Sequence, residues 1–198
     1  GCYGFAIFPM SEAEIAQANE LYPERKFELE KAVPEVVHRY FAGFLGLLII
    51  GLFGLSLYLK PFNSLVTKLT GALVLLVLAQ STFGYLTVSL KLWPQVVTMH
   101  LLGGFATTTL LFLTYMKLKD LDTGSSNSLM ISKRSSNLLN FAFPVLIAQI
   151  ILGVWLSSNY AAFACPDFPL CQGQILPDTN FQMGFNFMQS IGPDYLGG

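Results

Sequence analysis

Four side chains stand out for the chemistry they could do together. His38 and His100 are the only histidines among 198 residues. Each lies in or beside a long apolar run, where an ionisable side chain is costly and is a functional suspect by default. Glu35, His38 and Arg39 fall at i, i+3 and i+4, so one helical face presents a carboxylate, an imidazole and a guanidinium. An imidazole can ligate haem iron. A guanidinium gives paired hydrogen bonds to a carboxylate, which suits a haem propionate. A carboxylate beside the iron can act as a base or orient water. The plainer readings are an interface histidine held by a hydrogen bond and a Glu–Arg surface pair of little energetic worth.

The elements that must position these groups are membrane helices. The chain is 53% hydrophobic and 12% charged, with a formal net charge of -1. Soluble domains carry about 25% charged residues. That balance points to membrane lipid as the surroundings and gives no electrostatic case for nucleic acid. Spanning takes about 20 apolar residues. Four helices are expected, over about 38–59, 69–90, 94–116 and 138–157, the apolar core of the first starting at Tyr40. The fold class is therefore all-α, a four-helix transmembrane bundle. The outer segment is 1–37 and an outer cysteine loop is 158–198. Orientation follows from the positive-inside rule. Lys60 and Lys68 lie in the first connection and Lys117, Lys119, Lys133 and Arg134 in the third, whereas the segment before the first helix is rich in glutamate.

This topology starts both histidine-bearing helices on the outer side, with His38 and His100 within roughly 5 Å of each other in depth. Ala42 and Gly46 lie below His38; Gly103, Gly104, Thr107 and Thr108 lie below His100. Small residues there could open a slot for a flat macrocycle, or could simply pack helices closely. Ser11 as N-cap and Glu14 at N3 make a capping-box pattern opening a surface helix over about 11–30. Tyr85, Trp93 and Trp155 read as anchors at the outer interface. The segment 123–128 reads as a flexible cytoplasmic loop.

All three cysteines, Cys2, Cys165 and Cys171, fall on the outer side, where disulfides persist. The loop from Cys165 to Cys171 is short and holds two prolines, so a Cys165–Cys171 disulfide is expected. A metal site is less favoured because no histidine is near in sequence. A redox-active pair would not have the usual C-x-x-C spacing. Cys2-Tyr-Gly4 with Pro9 echoes Cys171-Gln-Gly173 with Pro177, as an internal repeat would. On that reading Cys2 is left unpaired by truncation, its partner lying about six residues upstream.

These residues carry a family resemblance. Glu35-Val-Val-His38-Arg39 at a helix start resembles the E-x-x-H-R motif of haem A synthases. So does the stretch from Gln80 to Gly104, with Thr87-Val88, Pro94 and His100-Leu-Leu-Gly-Gly104. Val154-Trp-Leu-Ser-Ser-Asn-Tyr-Ala-Ala162 and the Cys165 to Gly173 run are similar to the family's mid-chain outer loop, and Gly1-Cys2-Tyr3-Gly4 to the end of its first cysteine loop. The resemblance covers nearly the whole chain in order. It implies one half of an eight-helix, two-repeat enzyme that oxidises a methyl group of haem O to the formyl of haem A. It implies His38 and His100 as axial ligands of the substrate haem, Glu35 as the catalytic carboxylate and Arg39 as the propionate residue. It places the haem b cofactor in the other half, so this chain by itself is expected to be inactive. Haem O synthase and terminal oxidase assembly are the implied partners, and the bacterial inner (plasma) membrane the implied location, with the cysteine loops on the periplasmic side.

Three other functions share parts of the pattern. A b-type electron-transfer cytochrome would use the histidine pair but not Glu35. A membrane thiol–disulfide oxidoreductase would need a reactive Cys165 or Cys171. A scaffold or transporter subunit would bind no haem and give no Soret band.

Overall fold

The computed structural model describes residues 4–5, 7–23, 26–59, 64–123, 132–159, 161–167, 169–175 and 177–188, with backbone alone at 162 and 163. Six α-helices are described: α1 Glu12–Leu21, α2 Leu29–Leu59, α3 Leu65–Ser89, α4 Pro94–Thr123, α5 Lys133–Ser158 and α6 Phe181–Gly184, with a 3-10 turn at Ala161–Ala164 between α5 and α6. Four of them, α2 to α5, are long and apolar enough to cross a membrane. The protein is an all-α membrane protein, as its composition requires. It divides into two compact units, Gly1–Asn63 and Ser64–Gly198.

In the first unit α1 begins with the expected capping box. Ser11 Oγ accepts from Glu14 N at 3.2 Å, and Glu14 Oε2 accepts from Ser11 N at 3.0 Å and Met10 N at 2.8 Å. The Met10 N–H, followed by that of Ser11, holds the Glu14 carboxyl below its ordinary pKa. The helix stops at Leu21 rather than continuing to about residue 30. Asn19 Oδ1 then accepts from Phe27 N at 2.7 Å, turning the chain back toward α2. The helix α2 starts at Leu29, well before the apolar core at Tyr40. Hydropathy marks where lipid begins, but the helical backbone continues through the interface because nothing there breaks it. Pro34, near the start, removes only one backbone donor.

In the second unit α3 and α4 form a tight antiparallel pair. The turn between them is a Schellman closure. Leu92 N donates to Thr87 O at 2.8 Å and Lys91 N to Val88 O at 3.2 Å. Lys91 and Leu92 both take left-handed backbone angles, with φ of 52° and 61°. Non-glycine residues pay roughly 1–2 kcal/mol each for that conformation. The turn is therefore maintained by the pairing of the helices it joins.

Against α4 packs α5, capped at its start by Ser132, whose Oγ accepts from Ser135 N. One buried polar contact joins the two helices: Thr98 Oγ1 and Ser158 Oγ lie 3.0 Å apart. Ser158 also donates to Trp155 O at 3.0 Å. The segment 124–131, which contains most of the expected cytoplasmic loop, lies outside the described residues. Thr98→Val should therefore lower stability by about 0.6 kcal/mol, the usual worth of an interhelical hydrogen bond in a membrane. Ser158 keeps its carbonyl partner, so no orphaned hydroxyl adds to the loss. Thermal unfolding in detergent measures the difference.

Candidate functional site

The first group of site residues sits at the start of α2. Ala32 and Val36 are buried there, with Phe8 and Phe27 packed on them. The Phe8 and Phe27 rings stack at 6.4 Å between centroids. That apolar cluster fixes the rotation of the helix. It leaves Glu35 half-buried, and His38 and Arg39 exposed on the neighbouring stripe. Arg39 Nη2 donates to Glu35 Oε1 at 2.6 Å. The plainer reading of these two residues is thus realised as an ion pair. Both side chains are 40% exposed, and such pairs are worth about 0.2–1 kcal/mol.

His100 lies in the second unit, half-buried on α4. Its ring rests against Gly84 of α3, so that a Cβ there would come within 3.2 Å of Cε1. One turn deeper the relation reverses. Gly103 of α4 receives the side-chain amide of Gln80, closely enough that a Cβ at Gly103 would collide with it. The small-residue stripe below His100 is therefore not one slot. Thr107 is buried, whereas Thr108 is exposed and Gly104 has open space beside it. Below His38, Ala42 is exposed and Gly46 buried.

The second unit also carries the cysteine loop. Cys165 and Cys171 form a disulfide, with Cα atoms 4.5 Å apart. Cys171 and Gln174 exchange backbone hydrogen bonds at 2.8 and 3.0 Å around Gln172 and Gly173, whose φ angles are +53° and +77°. Asp167 caps the turn, Oδ1 accepting from Gln172 N and Oδ2 from Gly173 N, both at 2.8 Å. The Gly173 N–H holds the Asp167 carboxyl below its ordinary pKa against the opposing effect of desolvation, with further help from the Gln172 N–H.

Beyond this loop, residues 181–188 are strapped to the helix ends. Trp155 Nε1 donates to Gly184 O at 2.9 Å, its ring meets Phe187 at 4.7 Å, and Gln95 Nε2 donates to Phe187 O at 3.1 Å. Trp155 is only 8% exposed. It is a clasp for this strap and not the interface anchor that its place near a helix end suggested. Tyr85, by contrast, is 71% exposed, as an anchor would be.

The structure thus brings Glu35 together with Arg39, and Cys165 with Cys171. His38 and His100 belong to different units. Cys2 lies outside the described residues. Gly84 and Gln80 went unremarked as site residues in the sequence; the signal was their position, mirrored across the short turn from His100 and Gly103. Among the described residues no three His, Cys, Asp or Glu side chains converge as a metal site.

A protein-family model described as Cytochrome oxidase assembly protein, COX15-CtaA, matches residues 1–192. A Heme A synthase of Shewanella oneidensis is 38% identical over 195 residues, which make up 98% of this chain and 58% of that protein. A Heme A synthase of Halalkalibacterium halodurans is 26% identical over 165 residues, 81% of this chain and 54% of that protein. The chain spans somewhat more than half the length of these curated relatives. No solved structure gives a significant match.

The lowered pKa of Asp167 fixes the sign of a pH effect on the cysteine loop. A depressed carboxyl stabilises the folded turn above the unfolded value of about 3.9, and that contribution disappears as pH falls through the folded value. Amide protection at Gln172 and Gly173, measured by hydrogen exchange, should hold from neutral pH down to about 5 and fall below about 3.9. Asp167→Asn should lower the protection already at neutral pH and remove its pH dependence.

Proposed function

The chain belongs to the COX15-CtaA family of cytochrome oxidase assembly proteins, and from that membership we propose that it supplies the substrate-haem half of a haem A synthase. The observation carrying this reading is the Glu35, His38 and Arg39 face at the start of a spanning helix, in a chain that aligns over 98% of its length with a Heme A synthase. Haem O, as substrate, brings the iron and the methyl group that is oxidised to the formyl of haem A. His38 and His100 are the residues that would each offer an imidazole to its iron. Haem b is the cofactor, held by the half of the enzyme beyond this sequence. Haem O synthase provides the substrate and a terminal oxidase receives the product. The protein sits in the bacterial inner membrane with its cysteine loop on the outer side.

The ion pair between Glu35 and Arg39 gives the chain's own residues a sequence of action. A propionate arriving at Arg39 competes with Glu35 for the guanidinium, and paired hydrogen bonds favour the new partner. Breaking a pair exposed to this degree costs little. Glu35 is then released as a carboxylate beside His38, free to take a proton or hold a water. Substrate binding itself unmasks the base. The Cys165–Cys171 disulfide is structural in this account, because it closes a turn already bonded through Asp167, Cys171 and Gln174.

Glu35→Gln in the full-length protein separates this reading from an electron-transfer cytochrome. It should abolish haem A formation, assayed by extraction and chromatography, while bound haem is retained. Haem A formation at the unaltered rate would sink the assignment. Arg39→Ala should act differently, weakening retention of the substrate haem by about tenfold, as loss of a group supporting a metal site commonly does.

A further inference from the structure

The contact between α3 and α4 has a feature that close packing alone does not require. It consists of two reciprocal fits one helical turn apart. At the first, the imidazole of His100 on α4 meets bare backbone at Gly84 on α3. At the second, the amide of Gln80 on α3 meets bare backbone at Gly103 on α4. Each large polar group thus faces a glycine on the opposite helix. Each glycine carbonyl is also tied by a threonine hydroxyl of its own helix: Thr87 Oγ1 donates to Gly84 O at 2.7 Å, and Thr107 Oγ1 to Gly103 O at 2.8 Å. Both threonine hydroxyls are thereby satisfied within their own helices.

Reciprocity matters for register. If α4 slid along α3 toward one end, Gln80 would strike a residue bearing a Cβ; if α4 rotated, His100 would leave its seat. A single glycine would permit both movements. With the two fits in place, the ring of His100 is set in depth by Gln80 on Gly103 and in tilt by the flat backbone at Gly84.

We propose that Gly84 is a positioning residue for His100, which orients the imidazole as an iron ligand, and that Gln80 on Gly103 holds the register in which it does so. The proposal rests on His100 being an axial ligand of the substrate haem. A methyl group at position 84 needs the ring to withdraw by a few tenths of an ångström, which tilts the imidazole but leaves the helices paired. A methyl group at position 103 displaces the Gln80 amide and disturbs the register itself.

The test uses the full-length chain and two readouts. The first needs no haem: thermal unfolding of protein made without haem supply, for Gly84→Ala, His100→Ala and the double variant. Gly84→Ala should lower the midpoint when His100 is present and leave only the slight gain of helix propensity in the His100→Ala background, because the ring it strikes is gone. An equal effect in both backgrounds, or none in either, overturns the proposal. The second readout is the haem. Gly84→Ala should shift the low-spin electron paramagnetic resonance of the His100-ligated haem, which reports the imidazole plane, and weaken haem retention by about tenfold. Gly153→Ala, inside α5 at a glycine with open space around it, is the control: it reports the gain in helix propensity alone, which should raise the midpoint slightly, and should leave the haem signal unchanged. The substrate-haem component of the signal, read apart from that of the haem b in the other half, overturns the ligand reading and this proposal with it if His100→Ala keeps it. A signal lost in His100→Ala but unaltered in Gly84→Ala overturns the proposal alone.

Discussion

Hydrocarbon offers no hydrogen bonds, and nearly everything about this protein follows from that. A backbone crossing it must satisfy its own polar groups, so the four spans are unbroken helices. The hydroxyls obey the same rule. Thr70, Ser81, Thr82, Thr107, Thr108, Thr109 and Thr114 each donate to a carbonyl of their own helix three or four residues back. In that form the donor is satisfied, which removes most of the cost of placing a hydroxyl in hydrocarbon. Among the described residues, irregular backbone is confined to the segments beyond the helix ends. There the left-handed turn at Lys91 and Leu92, the disulfide loop and the strap over Trp155 are found. The start of α2, which carries Glu35, His38 and Arg39, precedes the apolar core of that span, where polar side chains are less costly than in hydrocarbon.

The spans were legible in the sequence because that constraint is so strict; a long apolar run without charge has little else to become. Their ends were less so. The helix α2 begins at Leu29, since Glu30, Lys31 and Glu35 are good helix formers that hydropathy counts as an end. The surface helix α1 was legible at its start, where Ser11 and Glu14 announce a cap, and not at its end, where Asn19 bonds to a backbone eight residues on. Trp155 misled because a tryptophan near a helix end looks the same whether lipid or a strap covers it.

The candidate residues show the same division. Glu35, His38 and Arg39 are close in sequence, so helical periodicity alone puts them on one face. Their pairing as Glu35 with Arg39 is equally local. The seat of His100 depends on another helix and on the turn that sets its register, and a glycine among Ser81, Thr82 and Phe83 carries no mark of that role. The echo between the two cysteine segments gains one structural correspondence. Gly4 and Gly173, each two residues past a cysteine, both take positive φ, +86° and +77°. Both segments then run through a proline to a polar N-cap, Ser11 or Asn180.

The turn at Lys91 and Leu92 bears on how this protein can vary over evolutionary time. One residue inserted there would rotate α4 by about 100° relative to α3 and carry His100 away from Gly84. The helices would still be apolar and still span, so membrane insertion would not detect the fault. Selection on the length of this connection therefore acts through the fit of α4 on α3, at Gly84 and at Gly103. In diverged lineages its length should be frozen, while the sequence of the lipid-facing surfaces beside it drifts freely within the apolar alphabet.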